Sequence, residues 1–88
     1  MQQKMQEVKR ALEETNFDLE SADGLVKITM NGAQVVQSIT LKDKLSEQES
    51  SRLGGVLKDT FNRSIKRSQE IAARKMQEVT GLNLPGLK

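Results

Sequence analysis

The side chains best suited to chemistry in this 88-residue chain are its cations. Arg52, Lys58, Arg63, Lys66, Arg67, Arg74 and Lys75 crowd into residues 52–76, where only Asp59 and Glu70 oppose them, a local balance of +5. Residues 16–51 carry Lys27, Lys42 and Lys44 against Asp18, Glu20, Asp23, Asp43, Glu47 and Glu49, a balance of −3. The whole chain's net +2 hides this segregation. On a helix turning about 100° per residue, Arg52, Arg63, Arg67 and Arg74 fall within a sector of roughly 60°, with Lys66 at its edge. Such a ridge can displace condensed counterions from a phosphate backbone. Arg63, Lys66, Arg67 and Arg74 are therefore the candidate phosphate ligands, with Lys4, Lys9 and Arg10 as secondary candidates. A second reading stays open. Glu70 lies four residues before Arg74 and Asp59 four before Arg63, and a helix face of mixed charge can serve solvation alone.

Other chemistries are excluded by composition. The chain has no His, Cys, Trp or Tyr, which removes thiol nucleophiles, imidazole bases, Cys/His zinc sites and disulfides. Ser50 and Ser51 have no base beside them, and the acidic residues of 43–49 do not have calcium-loop spacing. Neither an enzyme, a metal site, a cofactor nor a small-molecule substrate is expected. No apolar run approaches the roughly 18 residues of a membrane span, and no signal-peptide pattern opens the chain, so the reading is of a soluble intracellular protein.

Positioning the cations falls to a helix, three strands and a helix, an α+β arrangement. Met1, Met5, Val8 and Leu12 recur at helical spacing and predict a helix over 1–15. Phe17 and Leu19 then alternate with Asp18 and Glu20, as do Val26, Ile28 and Met30 with Lys27 and Thr29, which predicts strands over 16–22 and 25–30. Asp23-Gly24 marks one turn, and Asn31-Gly32 signals a hairpin because both residues tolerate the positive φ such turns require. A third strand follows over 34–41, with Val35, Ile39 and Leu41 on one face and Val36, Ser38 and Thr40 on the other. Ser46 and Glu49 form a capping box for a helix over 47–79, on which Leu57, Phe61, Ile65, Ser68, Ala72, Met76 and Val79 make the inward stripe. Gly54-Gly55 marks a kink or a close approach to the sheet. Thr80-Gly81 ends the helix, and residues 82–88 read as a flexible tail beyond a single domain over 1–81.

Helix length sets the architecture. Thirty-three helical residues extend about 50 Å, against a radius of gyration of roughly 12 Å for a compact chain of this size. The last helix must project, with the first packed antiparallel along it so that Leu12 lies near Ile65. Leu, Ile, Val and Phe are only about a quarter of the chain, and its mean hydropathy is −0.58. A core that thin leaves apolar surface exposed in a monomer, so a homodimer is expected.

Gly24-Leu25-Val26-Lys27-Ile28-Thr29-Met30-Asn31-Gly32, the Met- and Gln-rich start (Met1 to Glu7), Phe61-Asn62, Lys75-Met76 and Thr80-Gly81-Leu82-Asn83-Leu84-Pro85-Gly86 together resemble the YbaB/EbfC family of small bacterial nucleoid-associated proteins. The similarity runs over nearly the whole chain. It implies an α-β-β-β-α protomer, a three-stranded antiparallel meander, and a tweezer-like homodimer joined through the sheets. It also implies binding of double-stranded DNA with little sequence preference through the projecting helices, and a cytoplasmic, nucleoid-associated location. Family members commonly carry a further segment before the first helix, which implies weaker DNA contact here if that segment takes part. The competing expectation is a helical clamp for another protein, with the charges serving solubility.

Overall fold

The elements run α1 (Gln2–Glu14), β1 (Asn16–Glu20), β2 (Val26–Asn31), β3 (Val36–Leu41) and α2 (Glu47–Thr80) in a computed structural model that describes the backbone of residues 2–80 and the side chains of 5–79. Met1, the Lys4 side chain, Gly81 and the 82–88 segment lie outside the described residues. The strands form one antiparallel sheet in the order β1-β2-β3. Central strand β2 buries Val26, Ile28 and Met30 on one face, and β1 supplies Phe17 opposite Met30 and Leu19 opposite Ile28. Helix α2 lies across that face, where Leu53, Val56, Leu57 and Ile65 close on the cluster of Leu25, Val26, Ile28 and Met30. At 34 residues α2 is about 51 Å long, and it sets the 53 Å long axis of the molecule.

Strands β1 and β3 are each two residues shorter than expected at their turns, and β2 is shifted by one residue toward β3. Ser21 already belongs to the β1–β2 turn, donating its hydroxyl to the Asp23 carboxylate at 2.7 Å and accepting the Val26 N–H at 3.1 Å. Gly24 has φ +75°, the left-handed conformation this turn requires. The β2–β3 hairpin forms as expected, but neither Asn31 nor Gly32 takes the positive φ expected of them. Its connection is a three-residue loop, closed by Gln34 N–H to Asn31 C=O at 3.1 Å and Asn31 N–H to Val35 C=O at 3.0 Å, with the left-handed residue at Gln34 (φ 64°). Asn31 builds this loop with its side chain, whose Oδ1 accepts the N–H groups of Ala33 and Val35. Gly32 serves space instead. A Cβ there would sit 2.9 Å from Leu12 Cδ2 and 3.1 Å from Ile71 Cγ2, and its N–H donates to the carbonyls of Leu12 and Thr15. Leu12 therefore meets the level of Ile71, not Ile65 as expected, which places α1 about 9 Å further along α2.

Side chains on β3 and α2 also take faces other than those expected. The register slips between Thr29 and Met30, so that Ser38 pairs with Thr29 and Val36 with Met30, leaving Gln37 as a bulge. The bulge brings Val36 to the core face together with Ile39 and Leu41, and leaves Val35 half exposed. On α2 the fully buried line is Thr60, Ser64 and Ser68, whereas Phe61, expected in the core, is 37% exposed. These small residues let the helix lie close to the sheet. Their hydroxyls donate to the carbonyls of Val56, Thr60 and Asn31, so no buried side-chain polar atom among the described residues lacks a partner.

The capping box forms as expected, with Glu49 N–H donating to Ser46 Oγ at 3.1 Å and Ser46 N–H to Glu49 Oε1 at 3.0 Å. Helix α2 runs unbroken through Gly54 and Gly55, and a Cβ built at either meets no neighbour within 4 Å. Close approach to the protomer's own sheet therefore does not account for the pair.

Candidate nucleic-acid interface

Beyond Ser68, α2 pairs antiparallel with α1 and forms an arm past the sheet. Helix α1 is fixed at the base of that arm by the Asn31–Gly32 junction, where Asn31 Nδ2 donates to Glu13 C=O at 3.3 Å and Ser68 Oγ donates to Asn31 C=O at 2.9 Å. From Leu12 and Ile71 the two helices run toward the tip at about 1.5 Å per residue, which puts Lys9 and Arg10 near the level of Arg74. Among the described side chains of α1, Val8 is the buried one, while Met5, expected in the same stripe, is 55% exposed.

The four primary candidates do not stand alike. Arg63 is exposed, but its Nη2 donates to the Glu20 carbonyl at 3.0 Å, tying α2 to the end of β1 and not to Asp59. Arg67 pairs with Glu70 at 3.7 Å; Glu70 therefore does not take Arg74, as its spacing had implied. Lys66 and Arg74 are exposed and have no ion pair or hydrogen bond among the described residues. Lys9 and Arg10 on α1 are likewise exposed and unpaired among them. Of the other cations, Arg52 faces Asp23 at 3.6 Å and Lys75 faces Glu78 at 3.5 Å. Exposed pairs of this kind contribute little stability, and phosphate can compete for them. Arg63 to Arg74 spans eleven residues, about 16 Å, or roughly five base pairs of axial rise.

The acidic side chains with perturbed titration all lie at the sheet and the start of α2. The Thr29 hydroxyl, followed by Lys27, holds the Asp18 carboxyl below its ordinary range. The Ser21 hydroxyl, the Leu25 N–H and Arg52 do so for Asp23. Lys42, at 2.7 Å, and the Ser46 N–H do so for Glu49. These carboxylates stay ionised at neutral pH and hold negative charge at the sheet end, where Lys44 and Lys58 are also exposed and unpaired among the described residues, while Lys9, Arg10 and Arg74 lie on the arm. A groove beside the β1–β2 turn is lined by Ser21, Asp23, Asp59, Thr60 and Arg63. Its two carboxylates make it a poor seat for phosphate. No described helix is long and apolar enough to cross a membrane, and the described residues form no cluster of metal-binding side chains.

Fold and arm together define a small α+β protein with a cationic helical extension. The chain matches the model of the YbaB/EbfC DNA-binding family over residues 1–83. It is 33% identical over 86 residues to a nucleoid-associated protein of Flavobacterium johnsoniae, an alignment covering 98% of this chain and 80% of that one. The fold is similar to the crystal structure of an uncharacterised protein of Helicobacter pylori, with a TM-score of 0.72 over 93% of this chain and 94% of that one. At 20% identity that likeness bears on the fold alone. The chain belongs to the YbaB/EbfC DNA-binding family.

Proposed function

We propose that this chain binds double-stranded DNA with little sequence preference, as a homodimer whose arms contact phosphates, and that it serves in the cytoplasmic nucleoid. The observation that carries the reading is the placement of Lys66, Arg74, Lys9 and Arg10, all exposed and unpaired among the described residues. Arg67 joins them when phosphate displaces Glu70. Lys4 belongs to the same set by sequence position. Arg63 has a divided role, because contact with phosphate competes with its bond to Glu20. Phosphate contacts fix a protein on the duplex without reading bases, which fits relaxed specificity. The relative in Flavobacterium johnsoniae, named for the nucleoid, supports the cellular role.

Fluorescence anisotropy with a ~30-bp duplex of arbitrary sequence tests the reading. Four phosphate contacts predict a salt slope near −3.6, a fall in affinity of about a hundredfold between 50 and 200 mM salt. Lys66→Glu with Arg74→Glu should weaken binding at least tenfold and leave the helix content unchanged. Absence of binding at 50 mM salt would refute phosphate contact and favour the helical clamp for a protein partner.

A further inference from the structure

We propose that Asn31-Gly32 is a site of spontaneous deamidation that the docking of α1 holds closed, so that departure of α1 from the junction commits the chain to isoaspartate formation. Of the asparagines Asn16, Asn31, Asn62 and Asn83, only Asn31 precedes a glycine. With no Cβ in the way, a glycine nitrogen closes readily onto the side chain before it. The Gly32 nitrogen bonds to Asn31 Cγ, the Cγ–Nδ2 bond breaks, and ammonia leaves with the proton of the Gly32 N–H. Water then opens the succinimide. Attack at Cγ gives aspartate; attack at the main-chain carbonyl carbon gives isoaspartate, whose chain runs through Cγ. One water is consumed and one ammonia released, and no oxidant or reductant takes part.

In the folded chain every group of this reaction is held elsewhere, and the C-terminal end of α1 holds two of the three. The nucleophile's proton is shared between Leu12 C=O at 2.9 Å and Thr15 C=O at 3.0 Å. The leaving nitrogen, Nδ2, donates to Glu13 C=O at 3.3 Å. Oδ1 is turned into the loop, where it accepts the Ala33 N–H at 2.9 Å and the Val35 N–H at 3.0 Å. Carbonyls at the negative end of a helix oppose loss of the proton that the Gly32 nitrogen must shed before it attacks. Asn31 is only 3% exposed, so the water that opens the ring is kept out as well. The gate itself is a weak element. Helix α1 has 13 residues, too few for stability alone, and Val8 is the buried one among its described side chains. A short terminal helix opens at lower free energy than a central strand, and its departure frees the Gly32 N–H and Nδ2 together. Redocking does not reverse the change. Isoaspartate adds a main-chain atom between β2 and the loop, and sets a free carboxylate where Asn31 C=O accepts the Ser68 hydroxyl at 2.9 Å.

Incubation at neutral pH of the native chain and of the chain unfolded in guanidinium chloride, followed by mass spectrometry of proteolytic fragments, tests the site. Isoaspartate at position 31 should form at least tenfold more slowly in the native chain. In the unfolded chain Asn31 should react faster than Asn16, Asn62 and Asn83. Val8→Ala loosens α1 without altering the dipeptide and should speed the native-state reaction at least fivefold. Leu53→Ala, which thins the packing of α2 on the sheet, should speed it less than twofold. Amide hydrogen exchange of the wild type needs no variant to fold. The Gly32 N–H should exchange together with those of Val8 and Leu12, and faster than that of Ile28 in the central strand. An unfolded chain in which Asn31 reacts no faster than the other asparagines overturns the site. Equal rates in native and unfolded chains overturn its protection by the fold. Equal acceleration by Val8→Ala and Leu53→Ala, or exchange of Gly32 at the rate of Ile28, makes global unfolding the gate and overturns the role of α1.

Discussion

Gly32→Ala probes the junction from which the arm springs. The added Cβ would lie 2.9 Å from Leu12 Cδ2, 3.1 Å from Ile71 Cγ2 and 3.3 Å from the α-carbon of Leu12. Two of these atoms end side chains and can shift, but the third is backbone. Retreat is blocked as well, because the Gly32 N–H donates to Leu12 C=O at 2.9 Å and to Thr15 C=O at 3.0 Å. Overpacking a tight site costs about 1–3 kcal/mol. Gly32 is not among the left-handed residues, so alanine suits its backbone and gains about 0.4–1 kcal/mol by restricting the unfolded chain. The difference is a net loss centred on about 1.3 kcal/mol, within about 0–2.6 kcal/mol. For a domain of this size the central value lowers Tm by roughly 5–10 °C. Thermal unfolding should be followed at one fixed protein concentration, because association shifts Tm by mass action. Leu12→Ala in the same chain clears the side-chain methyl out of the way and leaves the Leu12 backbone where it was. A double-mutant cycle should thus show coupling of about 0.5–1 kcal/mol and only partial relief. If Gly32→Ala is as stable as the wild type, or more so, the junction is not close-packed and does not hold α1 on α2 in the way described.

Asn31→Leu removes the acceptor for the Ala33 and Val35 N–H groups and should cost about 2–4 kcal/mol in urea unfolding, whereas Asn31→Asp keeps the acceptor and should cost well under half as much. Glu70→Gln releases Arg67, so DNA affinity at low salt should rise about 2–5-fold and the salt slope should steepen by up to ~0.9, with stability changed by less than about 0.5 kcal/mol. Asp18, Asp23 and Glu49 titrate lower in the folded chain than when unfolded, so the stability they confer is fully present above the ordinary carboxylate range. It is lost as pH falls through the depressed values, so unfolding midpoints should be flat from pH 7 to about 5 and fall below about pH 4.

Local features of the chain were legible where one short stretch of sequence decides them. The Ser46-x-x-Glu49 box, the Asp23-Gly24 turn and the alternation of Val26, Ile28 and Met30 each read correctly, because propensity and burial agree there. Asn31-Gly32 located the hairpin but not its left-handed residue, because Gly32 answers to packing against Leu12 and Ile71, which only the tertiary structure brings together. The face of α2 was legible in part: Leu57, Ile65 and Ser68 turn inward as expected, but apolar periodicity placed Phe61 in the core and passed over Thr60 and Ser64, whose hydroxyls are satisfied by carbonyls and so can be buried. Gln37 gives no sign of its bulge, and the swap of Val35 and Val36 follows from that single residue. The charge ridge was visible as a pattern, but not its internal pairing. Arg63 finds Glu20 across 43 residues of sequence, and Arg67 takes the carboxylate that spacing offers equally to Arg74.

Helix α2 belongs to the core and to the arm with no joint between them. Thr60, Ser64 and Ser68 fix its rotation against the sheet, and that rotation passes up the helix to Arg74. The phase of the arm is therefore set by counting residues. One residue inserted between Ser68 and Arg74 would turn everything distal by about 100°, and with it the side on which the outer cations stand. Seven inserted residues, close to two whole turns, would lengthen the arm by about 10 Å and restore the original side to within about 20°. Drift of individual surface residues is tolerable in such a helix, but its length between sheet and tip can change only in steps near whole turns.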